Sequence, residues 1–149
     1  MKREDQFQHL LEHGRLPESS GQKRHAAQKE HHLQTACVQR FRYLYPDYWR
    51  MLISVPNAGQ RTTKAAAWLK AEGMTPGAAD LLLLLRRGAY GCLCLEAKTT
   101  SKHSRLSEEQ KAWHADATKH GNKCVVFRSE EEFFKIIETY LNLKDNETF

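Results

Sequence analysis

The sequence predicts an α/β domain: a central mixed β-sheet with helices on both faces. Segments with apolar residues at helical spacing alternate with short runs rich in leucine, valine and cysteine, which is the signature of sheet and helix layers packed together. Two of those runs, residues 79–85 and 91–97, are separated only by Arg86-Arg87-Gly88-Ala89-Tyr90 and read as a hairpin of doubly covered strands. The chain has 149 residues, 40% hydrophobic and 28% charged, which is enough for one domain that buries its own core and too little for two.

Residues 1–28 are polar and read as an arm, with one apolar triplet at helical spacing (Phe7, Leu10, Leu11) that allows a short helix there. Residues 29–149 are the folded domain. In residues 29–45, Leu33, Cys37, Phe41 and Leu44 recur at three- and four-residue steps and Pro46 stops the helix. Residues 51–55 form a short strand, closed by Pro56-Asn57-Ala58-Gly59. Thr62 or Thr63 caps a helix through Ala71 that ends at Gly73, and Thr75-Pro76-Gly77 is a turn into the hairpin. Ser107 opens a helix running to His120 with Gly121 as its stop, and residues 123–128 are a strand centred on Val125-Val126-Phe127. Ser129 with Glu132 makes a capping box for a last helix whose buried stripe is Phe133, Ile136, Ile137, Tyr140 and Leu141. The order is α-β-α-β-β-α-β-α.

The four cysteines, Cys37, Cys92, Cys94 and Cys124, form no C-x-x-C pair and have no histidine at zinc-finger spacing, so they read as buried, reduced thiols. Together with Trp68 and Trp113 they are assigned to the core. The longest apolar run, residues 81–85, is far too short to span a bilayer, and the N-terminus lacks a signal-type apolar stretch. A cytoplasmic protein without membrane attachment is expected. From Ser129 onward there are six acidic and two basic residues, net −4, which leaves 21 basic and 12 acidic residues before it, net +9. A positive body suits a polyanionic partner.

The chemistry concentrates in three residues. Asp80 enters an otherwise apolar strand straight after the Pro-Gly turn. Glu96 and Lys98 end the next strand two residues apart, so strand periodicity points both to one face. In an antiparallel hairpin the start of one strand lies beside the end of the other, which brings Asp80, Glu96 and Lys98 together. Two carboxylates with backbone carbonyls and water suit Mg²⁺ or Mn²⁺, and a lysine beside them can orient a water or offset charge on a phosphate. That is the equipment of a phosphodiesterase.

Pro76-Gly77-Ala78-Ala79-Asp80, Leu95-Glu96-Ala97-Lys98, Leu106-Ser107-x-x-Gln110-x-x-Trp113 and the later Gly121, together with Glu30-x-x-x-Gln34 and Pro56-Asn57-Ala58-Gly59-Gln60-Arg61, stand in an ordered series. This series resembles the VRR-NUC (virus-type replication-repair nuclease) branch of the PD-(D/E)XK superfamily across residues 29–142. The Asp80 motif carries Ala78-Ala79 where that branch often has Val-Pro, a change of packing rather than of ligands. The resemblance implies a restriction-endonuclease-like core. It implies that Asp80, Glu96 and the Ala97 carbonyl bind Mg²⁺ or Mn²⁺, that Lys98 handles the nucleophilic water, that Glu30 adds an acidic group and that Gln110 supports Lys98 or the phosphate. Small stand-alone members, many from phages and prophages, resemble homodimeric Holliday-junction resolvases, so structure-selective cleavage of branched DNA by a homodimer is the expected activity.

Several of these residues also have plainer readings. A Glu-x-Lys pair at a strand end is usually solvated, but this one closes an apolar strand, where unpaired charge is costly. Asp80 alternatively caps the Pro-Gly turn, Ser107-x-x-Gln110 is itself a capping box, and Glu30 beside His31-His32 is solvated in the plain reading. Arg61, Lys64, Lys102, His103 and Arg105 are candidate phosphate contacts; Arg86 and Arg87 read as ordinary charges at the other sheet end. A degenerate DNA-binding module is the alternative function, supported by the basic body alone, and flap, nicked or sequence-defined duplex DNA are alternative substrates. A sequence-reading enzyme needs groove-reading elements for which no spare segment is available.

Overall fold

A computed structural model of the chain describes residues 21–56, 62–101 and 104–149. The arm triplet Phe7, Leu10 and Leu11, the Asn57-Ala58-Gly59 turn, Arg61, Lys102 and His103 lie outside the described residues.

The sheet has four strands in the order β1-β2-β3-β4. β1 (Leu52–Ser54) is the edge strand and pairs antiparallel with β2 (Leu81–Leu83); β2 pairs antiparallel with β3 (Leu93–Ala97), placing Leu81 opposite Leu95. β3 runs parallel to β4 (Lys123–Phe127), with Glu96 opposite Val126. The predicted mixed sheet and its hairpin are present. Both hairpin strands are shorter than the apolar runs, and at the start of the second run the Gly91 N–H is bonded to the Gly121 carbonyl at 2.9 Å.

Helix α1 (Gly21–Leu44) begins eight residues before the predicted start and takes in the end of the supposed arm. Residues 21–28 are polar and show no apolar stripe, yet several are good helix formers, so propensity extends a helix whose periodic signal starts later. Its inner face is Cys37 and Phe41, both fully buried, and the stripe continues to Tyr45, whose ring lies 5.0 Å from that of Phe41, rather than to the exposed Leu44. Helix α2 (Thr63–Ala71) lies between β1 and β2, with Thr62 Oγ1 accepting from the Ala65 N–H at 3.2 Å as its cap. Helix α3 (Glu108–Lys119) joins β3 to β4, and α4 (Glu130–Leu141) closes the chain.

Alternation along β3 separates the two sheet faces. Leu93, Leu95 and Ala97 face the core with Leu81, Leu83 and Phe127, where α1 supplies Cys37 and Phe41 and α4 supplies Phe133, Phe134, Ile137 and Tyr140. Cys94, Glu96 and Lys98 therefore face the other way, toward α3. The acidic α4 accordingly sits on the face away from Glu96 and Lys98. Among the described residues, no helix is long and apolar enough to cross a membrane.

The core assignments of Trp68, Trp113, Cys92 and Cys124 are corrected; Trp113, on α3, is only half-buried and lies outside the core cluster. Trp68 is 64% exposed, on a helix with no buried residue, where only Ala66 and Leu69 are half-buried. All four cysteines are free thiols, but only Cys37 and Cys94 are buried; Cys92 and Cys124 lie at the strand starts and are half-buried.

Candidate active site

Asp80 is placed by its turn. Gly77 has φ +79°, and a Cβ there would lie 2.3 Å from the Glu109 carbonyl oxygen, so only glycine lets the turn sit against the first turn of α3. The Asp80 carbonyl accepts from the Val55 N–H at 2.9 Å, which holds the residue at the end of the sheet. Its side-chain Oδ2 accepts from the Ala97 N–H at 2.9 Å, bridging β2 to β3. Main-chain N–H and C=O of one strand residue share an edge, so the Ala97 carbonyl is on the Asp80 side.

Glu96 is 1% exposed and Lys98 7%. Lys98 Nζ donates to Glu96 Oε1 at 2.8 Å, and the Lys98 backbone N–H donates to the Phe127 carbonyl at 3.0 Å, pinning the strand end to β4. Gln110 Nε2 donates to the same Glu96 Oε1. Gln110 is also the capping residue: its Oε1 accepts from the Ser107 N–H at 2.9 Å while Ser107 Oγ accepts from the Gln110 N–H at 3.2 Å. The capping reading is present, and the amide that the cap fixes is bonded to Glu96 rather than to the expected Lys98. Glu96 Oε2 is buried and has no hydrogen-bond partner.

The electrostatics follow from that crowding. Burial, then the negative charge of Asp80, push the Glu96 carboxyl up to about 7 from its ordinary 4.5, against the opposing pull of Lys98 and, more weakly, of the Asp80 backbone N–H. Burial also raises Asp80, with a smaller push from Glu30, while the Ala97 N–H and Lys98 pull the other way.

Glu30 reaches this end of the sheet from α1. Its Oε1 accepts from Ser104 Oγ at 2.9 Å, and Ser104 Oγ in turn accepts from the Thr99 N–H at 3.0 Å. Arg128, at the end of β4, donates from Nη1 to the Thr99 carbonyl and, at 3.0 Å, to the Ser104 carbonyl, tying down the loop that follows Lys98. Asp80, Glu96, Lys98, Gln110 and Glu30 are thus brought together. Lys64, on α2, and Arg105, just past Ser104, are both exposed. Arg87 lies at the opposite end of β2, 3.4 Å from the Tyr48 hydroxyl.

Three participants escaped the sequence reading. Ser104 and Arg128 act through contacts that have no local spacing signal. His114 had one: it is one turn beyond Gln110 on the same face of α3. Its Nε2 is buried without a partner, and burial, then the nearby Lys98 charge, hold its pKa down.

The donor set fits a hard divalent cation. Asp80, Glu96 and the Ala97 carbonyl offer oxygen donors at one end of the β2–β3 pair, and Glu96 Oε2 is a buried acceptor without a hydrogen-bond partner. Among the described residues no three His, Cys, Asp or Glu side chains gather to form a closed cage. Carboxylates and a carbonyl are the ligand types that Mg²⁺ or Mn²⁺ takes together with water.

A solved structure described as a VRR_NUC domain protein is similar to this chain, with a TM-score of 0.66 and 24% sequence identity over 78% of this chain and 90% of that one. No family model and no curated protein matches the sequence. The similarity establishes the fold: a VRR-NUC-type, restriction-endonuclease-like α/β core.

Proposed function

We propose that this chain is a Mg²⁺- or Mn²⁺-dependent nuclease that hydrolyses phosphodiester bonds in branched DNA, such as a four-way junction, and works as a homodimer. The observation that carries the reading is Glu96: a fully buried carboxylate, two residues from Lys98 and across the hairpin from Asp80, with one oxygen held by two donors and the other by none.

Asp80, Glu96 and the Ala97 carbonyl would hold the ion, which when bound supplies charge neutralisation at the phosphate and a more acidic water. Gln110 fixes the Glu96 rotamer. Lys98, held at the strand end by its bond to Glu96, orients the attacking water or offsets charge that develops on the phosphate. Glu30 acts through Ser104, setting the start of the loop after Lys98, and adds negative charge near Asp80. The net +9 of residues 1–128 provides a surface for phosphate contact, with Arg61, Lys64, Lys102, His103 and Arg105 as candidates.

The dimer reading is supported by the edge of the sheet. Trp49, Met51, Ile53 and Leu84 are all exposed along β1 and its approach, an apolar edge of the sort that a second copy covers. Two sites related by a two-fold axis match the symmetry of a four-way junction.

Labelled four-way junction, flap, nicked and linear duplex DNA, incubated with Mg²⁺, Mn²⁺ or EDTA, test the proposal. Metal-dependent cleavage that favours branched DNA and falls at least 100-fold in Lys98→Ala is expected. Equal cleavage by Lys98→Ala sinks the mechanism, and salt-sensitive DNA binding with no cleavage in any metal assigns the chain to the non-catalytic alternative. A light-scattering mass near 17.3 kDa removes the dimer but leaves the chemistry.

A further inference from the structure

The geometry points to α2 as a platform for an unpaired DNA strand, with the Trp68 ring stacking on a base and Lys64 meeting the adjoining phosphate. The inference rests on the nuclease reading and names the part of the substrate that this helix takes.

Trp68 is 64% exposed, on a helix with no buried residue. A tryptophan left in water forgoes a large apolar burial, so its position on a surface calls for a partner. Lys64 is one turn before it on the same face, and the two line one open groove with Thr62, Ala65 and Leu69. The indole is already oriented: Nε1 donates to Glu72 Oε1 at 2.6 Å, a contact through the ring edge that leaves stacking to its face.

α2 leads into Asp80 through residues 72–79, and the Gly77 turn of that connection is seated on the first turn of α3, which carries Gln110, with no room for a Cβ.

The chemistry selects the occupant. A cation beside an aromatic face is the pairing used by single-strand binders, since every base offers a π-face and every linkage a phosphate. Paired duplex hides its base faces inside the stack, so an indole finds one only where a strand is unpaired. A second copy of the chain is the poorer occupant, because the larger exposed apolar set, Trp49, Met51, Ile53 and Leu84, lies on β1 and its flanks instead.

The test is anisotropy of labelled oligothymidylate, a flap with a single-stranded arm, and blunt duplex, in EDTA, with wild type, Trp68→Ala, Trp68→Phe and Lys64→Ala. Wild-type cleavage of the same DNAs in Mn²⁺ and the light-scattering mass of each variant are measured alongside. Trp68→Ala is expected to weaken oligothymidylate and flap binding by roughly 5- to 100-fold, the range for losing one stacked base, and to weaken duplex binding less. Trp68→Phe should keep most of the affinity, and Lys64→Ala should flatten the salt dependence. Unchanged oligothymidylate binding by Trp68→Ala overturns the inference, as does a variant that turns a dimer into a monomer, which assigns α2 to a second copy. If wild type cleaves none of the DNAs but its single-strand binding still depends on Trp68, the nuclease reading fails and the platform stands. If it cleaves yet is indifferent to Trp68, only the platform fails.

Discussion

Replacing Glu96 with glutamine should make the metal-free protein more stable and the proposed site inert. The folded Glu96 carboxyl releases its proton at about 7, against an ordinary 4.5. Between those two values the folded chain retains a proton that the unfolded chain has given up, so folding stability falls as pH rises through that window and is lowest above it. The gap corresponds to a loss on the order of 3 kcal/mol once both states are ionised. Glu96→Gln removes the ionisation while its carbonyl still accepts from Lys98 and Gln110, and its amide replaces the unpartnered Oε2. At pH 8 in EDTA the variant is therefore expected to melt higher than wild type, by up to roughly 5–10 °C for a domain of this length, with the difference vanishing near pH 5. Thermal melts followed by circular dichroism across pH 5–8 supply the curve. Added Mn²⁺ should raise the wild-type midpoint and leave the variant unmoved, since binding to the folded state alone stabilises it. A variant less stable than wild type at pH 8, or one that gains as much from Mn²⁺, refutes the reasoning.

Other perturbations separate positions that look alike in sequence. Gly77→Ala and Gly73→Ala both place an L-residue at positive φ, but the new Cβ meets the Glu109 carbonyl at 2.3 Å in the first and nothing within 4 Å in the second. Gly77→Ala should cost several kcal/mol in urea melts, and Gly73→Ala only about 1 kcal/mol. Arg128→Met leaves the Thr99 and Ser104 carbonyls without this donor, so a loss of about 1–3 kcal/mol is expected, with faster amide exchange at Thr99 and Ser104 as the local readout. Tyr140 is fully buried, donates its hydroxyl to the Leu85 carbonyl at 2.7 Å, and burial pushes its pKa up to about 12 from 10. Because the folded phenol holds its proton longer, its contribution to stability is lost as pH rises from 10 toward 12, and Tyr140→Phe should be less stable at pH 8 and show a shallower alkaline decline.

What was readable in the chain was what short-range periodicity encodes. Strand alternation put Glu96 and Lys98 on one face, the hairpin carried Asp80 to them, and the Ser107-Gln110 box announced the helix start that delivers the glutamine. The start of α1 was missed because residues 21–28 are helical without an apolar stripe. Trp68 was misassigned because an aromatic residue at helical spacing reads as core whether or not anything packs on the helix. Ser104 bonds to Glu30, 74 positions away, and Arg128 to Ser104, 24 away, and no local pattern reports contacts of that range. The candidate residues Glu96, Lys98 and Gln110 follow strand and helix spacing, whereas Ser104 and Arg128 are joined to the site only through the folded tertiary structure.

The distribution of donors around Glu96 separates a structural role from a chemical one. A carboxylate buried to hold the fold together spreads its partners over both oxygens, since each unsatisfied buried acceptor costs about 1–3 kcal/mol. Here Lys98 and Gln110 both go to Oε1, although Asp80 has raised the cost of the charge and Oε2 is left alone. Nothing on the apolar face requires this arrangement: Leu93, Leu95 and Ala97, alternate residues of the same strand, are fully buried against α1 and α4 and supply the stability that the other face gives up. One strand thus anchors the core on one side and carries an unsatisfied carboxylate on the other. The proposed cation satisfies that oxygen, which is why stabilisation by Mn²⁺ and stabilisation by Glu96→Gln should be mutually exclusive: each removes the same unpaired charge by different means.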